Sequence, residues 1–99
     1  MVKVVSEVSD VPTSGPVVID FFATWCGPCK KIAPFFEQLA DEYVKITFLK
    51  VDVDESQELV DKYNIQAMPT FIFLKDGVVL KKVEGASVSE IESGFALLK

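Results

Sequence analysis

The sequence predicts a three-layer α/β/α sandwich: a central mixed five-stranded sheet with helices on both faces. Three observations carry that reading. Apolar runs of strand length alternate with segments whose apolar residues recur at helical spacing. Pro16 to Ala23 is apolar throughout except for Asp20, the pattern of a strand covered on both faces. An Asp76-Gly77 pair joins two late apolar runs, the strongest hairpin signal in the chain. The order strand, loop, strand, helix, strand, helix, strand, strand, helix then gives a mixed sheet.

Val2 to Val5 predicts a short first strand, and Pro16 to Ala23 the buried second. Ile32, Phe35, Phe36, Leu39, Ala40 and Tyr43 fall on one face of a long helix. Pro34 inside it removes one backbone hydrogen bond and is expected to kink it. Ile46 to Val53, rich in β-branched and aromatic residues, predicts the third strand. Asp54 followed by Gln57 reads as a capping box that opens a helix with Leu59, Val60 and Tyr63 inward. Thr70 to Leu74 and Val78 to Val83 are the hairpin strands. Ser87 and Glu90 form a second capping box, and Val88, Ile91, Phe95 and Leu98 carry the last helix onto the sheet. Gly94 within it is expected to cost about 1 kcal/mol relative to Ala.

The 99 residues show no repeat, linker or low-complexity tract and are expected to form a single domain over 1–99. With 49% hydrophobic residues and eight Phe, the chain has enough apolar surface for a core without a disulfide framework. Ten Lys against fifteen acidic residues leave a net charge of −5, and there is no Arg. That excludes nucleic acid as a natural partner and removes the bidentate clamp for carboxylate or phosphate. There is no His, so the usual general base and the commonest metal ligand are both missing. No apolar run follows Lys3, so no secretory signal is expected. No stretch reaches the roughly 18 apolar residues of a membrane span. The expected location is cytoplasmic, where a cysteine pair is catalytic or metal-binding rather than structural.

That pair is Cys26 and Cys29, in Trp25-Cys26-Gly27-Pro28-Cys29, where the second strand hands over to the long helix. Unpaired N–H groups and the helix dipole favour a thiolate at Cys26, and Cys29 lies one turn further on the same face. Pro28 suits a first helical turn. A zinc or iron–sulfur site needs about four ligands, and two thiols without His do not supply them. A disulfide closing so short a loop adds little stability. The residues therefore point to a redox-active dithiol with no bound metal or cofactor. Asp20, the lone charge in an otherwise buried run, is the candidate general base. Desolvation raises a carboxyl pKa toward neutrality, where a base is most useful. A solvent-facing Asp on an edge strand is the other reading of the same residue.

FFATWCGPCKKIAP, AMPTF, and KDG followed by EGA resemble the active-site signature, the cis-proline loop and the hairpin with final turn of the thioredoxin family. Nearly the whole chain takes part. The resemblance implies the thioredoxin fold and a small carrier that reduces protein disulfides. Cys26 would be the exposed attacking thiolate and Cys29 the buried resolving thiol. Asp20 keeps the spacing of the family's buried proton acceptor, and Lys50 resembles the lysine that sits near it. Met68-Pro69-Thr70 resembles the loop whose cis Pro69 packs on the disulfide, where the backbone of Met68 would pair with substrate. Trp25, Gly27, Pro28, Ala67 and Met68 would form an apolar landing patch around it. The implied partners are a thioredoxin reductase and disulfide-bearing proteins, with NADPH entering only through the reductase, and the implied state is a monomer.

Two departures stand out. Phe22 occupies a position where many members carry Trp, and Ser6 to Gly15, with Pro12, leaves the family's first helix abbreviated. Two rival functions share the motif. One is a thiol oxidase or isomerase domain, although such relatives often place His between the cysteines, where this chain has Gly27-Pro28. The other is a non-catalytic subunit that uses the same surface to hold a partner.

Overall fold

The computed structural model describes residues 1–99. Its elements are β1 (Val2–Val4), β2 (Pro16–Phe22), α1 (Gly27–Glu42), β3 (Thr47–Asp52), α2 (Gln57–Lys62), β4 (Thr70–Lys75), β5 (Val78–Glu84) and α3 (Val88–Leu98). The strands form one sheet in the order β1-β3-β2-β4-β5. β1 and β2 run parallel to β3, whereas β4 runs antiparallel to both β2 and β5. This is the expected mixed five-stranded sheet.

β2 is the central strand, paired along both edges, so its apolar residues have no outlet to solvent. Val17 through Phe21 are all buried. Side chains alternate between faces, and two cores result. One gathers Val18, Phe48, Phe71 and Phe73 of the sheet under Ile32, Phe36 and Leu39 of α1 and Ile91, Phe95 and Leu98 of α3. The other gathers Val17, Ile19, Phe21, Leu49, Val51, Ile72 and Leu74 under Leu59 of α2 and Val5 and Val11 of the N-terminal segment. Aromatic contacts concentrate on Phe95, whose ring stacks with Tyr43 at 4.9 Å and meets Phe73 edge-on at 5.2 Å.

The β4–β5 turn is as expected: Asp76 and Gly77 both have positive φ, 51° and 81°, as a tight primed hairpin turn requires. Gly94 has a role beyond its helix cost. A Cβ there would sit 2.5 Å from the Phe73 ring, so the missing side chain lets α3 lie against β4. α1 continues as one helix through Pro34.

Three details differ from the sequence reading. α2 starts later than expected, with Ser56 as N-cap accepting from the Leu59 N–H at 3.4 Å, because Asp54 is engaged elsewhere. In the second capping box only Ser87 plays its part. The Glu90 carboxylate turns instead to Lys81, 3.0 Å away. Val88 is exposed rather than inward. Between β1 and β2 a single short 3-10 turn, Val8–Asp10, stands where a full first helix would lie. Ser56 and Glu58 of α2 hold that segment through the Ser6 carbonyl, 2.6 Å, and the Val8 N–H, 3.3 Å.

Candidate active site

β2 ends at Phe22, and a short loop carries the chain into α1, with Cys26 as the helix N-cap. Cys26 and Cys29 are joined as a disulfide with their Cα atoms 5.3 Å apart. The Cys29 N–H donates to Cys26 Sγ over 3.2 Å. A donor and a helix N-terminus thus both point at the sulfur that the sequence reading makes the thiolate. Both cysteines are buried in this oxidised form, Cys26 at 6% and Cys29 at 4% exposure, so the expected contrast between an exposed and a buried thiol is absent. The cover comes from Ala23, Phe22, Val53 and Met68, which pack around the pair.

Asp20 lies in the middle of β2 and is 1% exposed, with neither carboxyl oxygen hydrogen-bonded. It is not an edge residue. Its side chain shares the face of Val18, toward α1 and α3. Burial pushes its pKa up from 3.8 to about 7, with the nearby Lys50 charge opposing the rise. Lys50 is its register partner on β3. The Lys50 ammonium rests over the Phe22 ring at 4.7 Å, a cation–π contact, and forms no ion pair with Asp20. A cavity of about 220 Å³ opens beside them, lined by Phe22, Ala23, Thr24, Cys29, Lys30, Ala33 and Lys50. Lys50 therefore borders both the buried carboxyl and the cavity that reaches Cys29.

The Met68–Pro69 peptide bond is cis, and Pro69 is buried. Two hydrogen bonds pin the loop: Thr70 Oγ1 to the Ala67 carbonyl, 2.6 Å, and the Gly85 N–H to the Pro69 carbonyl, 2.8 Å. The backbone of Met68 makes no hydrogen bond within the chain. Trp25 is 66% exposed, and its Nε1–H donates to Asp54 Oδ2 at 3.0 Å. Gly27 and Pro28 are exposed and line a groove of about 350 Å³ with Lys31, Ile32 and Ala86. Sequence reasoning missed Asp54, Lys31 and Ala86. Asp54 resembled a helix cap, and although Lys31 and Ala86 lie within the FFATWCGPCKKIAP and EGA segments, only the fold brings the two to one groove. No group of three or more Cys, Asp or Glu side chains converges as metal ligands. No helix is long and apolar enough to cross a membrane.

The family model described as Thioredoxin matches residues 4–96. The chain belongs to the thioredoxin family. It is 54% identical over 80 residues to Thioredoxin H1 of Arabidopsis thaliana, a match covering 81% of this chain and 70% of that protein. It is 45% identical to Thioredoxin-1 of Schizosaccharomyces pombe, with 96% of each chain covered. The crystal structure of the Malassezia sympodialis thioredoxin superposes with a TM-score of 0.89 at 43% identity, over 98% of this chain and 92% of that one. The resemblance seen in the sequence and the thioredoxin fold both hold. The activity is that of a thioredoxin, an oxidoreductase that reduces protein disulfides, and Cys26–Cys29 is its redox-active pair.

Proposed function

We propose that residues 1–99 act as a single-domain, monomeric electron carrier of the cytoplasm. Cys26 attacks, Cys29 resolves, and Asp20 manages the proton. In the reduced form, Cys26 thiolate attacks a substrate disulfide, forming a Cys26–substrate bond and releasing one substrate thiolate. Cys29 then gives its proton to the Asp20 carboxylate, and its sulfur attacks Cys26 Sγ. The Cys26–Cys29 bond forms and the second substrate thiolate leaves. Two electrons pass from the pair to the substrate.

The order of attack is supported by the N–H that Cys29 directs at Cys26 Sγ, since a donor of that kind stabilises a thiolate at Cys26. Asp20 suits its role because burial brings its pKa to about 7, where it can take up and release a proton near neutral pH. Lys50 modulates it through the charge it holds beside the carboxyl. Trp25, Gly27, Pro28, Ala67, Met68 and Pro69 receive the substrate segment, and the unpaired backbone of Met68 is free to add a short strand to it. Nothing in this chemistry requires a bound cofactor. NADPH enters through a thioredoxin reductase that returns two electrons to Cys26–Cys29.

The observation that carries the reading is the disulfide at the α1 N-terminus, packed among apolar side chains. The test is reduction of a model protein disulfide with NADPH and thioredoxin reductases of several classes. Steady NADPH consumption that needs both cysteines is the expected result, and none with any reductase class would refute it.

A further inference from the structure

The groove beside the disulfide carries a charge that the reaction does not use. Gly27, Pro28, Lys31 and Ile32 occupy one side of the first turns of α1 and face Ala86 across about 350 Å³. Its walls are apolar apart from Lys31. That side chain is exposed, and the only ion pair in the protein is Lys81 with Glu90, so the Lys31 ammonium has no carboxylate partner. Gly27 and Pro28 separate the two cysteines, so a segment bonded to Cys26 and reaching along this groove passes the Lys31 ammonium. The Gly85–Pro69 hydrogen bond ties the residue before Ala86 to the cis-proline loop.

We propose that Lys31 is a specificity-determining residue, selecting protein disulfides whose flanking segment places a carboxylate in this groove. The inference rests on the proposed attack through Cys26. It also runs against the overall charge of −5, which by itself favours basic substrates. At 0.15 M salt the screening length is about 8 Å, so a groove contact outlasts the field of the remaining surface.

The test uses pre-reduced protein and synthetic peptides that are disulfide-linked homodimers. The peptides are neutral except for Glu, Lys or Gln two residues before or after the cysteine. Trp25 fluorescence follows formation of Cys26–Cys29. At 0.15 M salt the Glu peptide at one of the two positions is expected to react about 2- to 5-fold faster than its Lys counterpart, the range of an exposed ion pair. Lys31→Glu should invert that ratio. Lys45→Glu makes the same charge change beyond the far end of α1, which lies about 17 Å along the helix from Lys31. It should leave the ratio as it is. A wild-type ratio of one or below at both positions, an unchanged ratio in Lys31→Glu, or an equal change in Lys45→Glu would overturn the assignment. Failure of even the Gln peptide to react would instead refute attack through Cys26, and this inference with it.

Discussion

Asp20 and Lys50 face each other as register partners on adjacent parallel strands, yet they do not form an ion pair. The Lys50 ammonium leans over Phe22, and the carboxyl stays buried without a hydrogen bond. A partnerless carboxyl in an apolar layer is costly to ionise. Its pKa therefore sits near 7 rather than 3.8. This is a stored disadvantage for folding and a usable property for proton transfer.

The stability consequence has a definite sign. Well below pH 3.8 Asp20 is protonated in both folded and unfolded chains and contributes nothing. Between 3.8 and about 7 the unfolded chain loses the proton while the folded one keeps it, so stability falls as pH rises. Above 7 the full cost applies, roughly 4 kcal/mol for a shift of this size. Asp20→Asn should raise the urea midpoint of the oxidised protein at pH 8 relative to wild type. At pH 4 most of that advantage should be gone. Equal differences at both pH values would remove the buried charge as the cause.

The same substitution should slow turnover near neutral pH, because Cys29 loses its proton acceptor, while alkylation of Cys26 in the reduced protein continues. Rates of protein-disulfide reduction measured across pH 6 to 9 report this. A profile unchanged from wild type would take Asp20 out of the mechanism.

Cys29→Ser should halt the reaction halfway and accumulate mixed disulfides through Cys26, visible by mass spectrometry under non-reducing conditions. Cys26→Ser should trap nothing. The reverse pattern would exchange the two roles.

Gly94→Ala is expected to destabilise, although Ala is the better helix former by about 1 kcal/mol. Its Cβ would meet the Phe73 ring at 2.5 Å, and overpacking of that kind costs about 1–3 kcal/mol. A lower thermal midpoint checks it. A higher one would mean that α3 can move off β4 without loss.

Much of this architecture is legible in local chemistry. The α1 face, the Asp76-Gly77 turn and the apolar β2 run each state their structure within a few residues. The motif likewise marks Cys26, Cys29 and Pro69. What stays hidden depends on partners far along the chain. Asp54 has the composition of a helix cap, but its carboxylate is taken by the indole of Trp25, leaving Ser56 to cap α2. Gly94 reads as a weak point in a helix until β4 brings Phe73 against it. Cys26 at a loop end reads as exposed, and Met68 and Val53, from two other segments, cover it. The pairing of Asp20 with Lys50 is a matter of strand register, which periodicity alone does not specify.

The most direct measurement mixes the fully reduced protein with an equimolar single-disulfide protein and counts thiols and disulfides on each after reaction. The account predicts one substrate disulfide reduced for each Cys26–Cys29 bond formed, with net reduction abolished by Cys26→Ser and by Cys29→Ser. Substrate reduction that persists undiminished in either variant, or that occurs without formation of the Cys26–Cys29 disulfide, would contradict it.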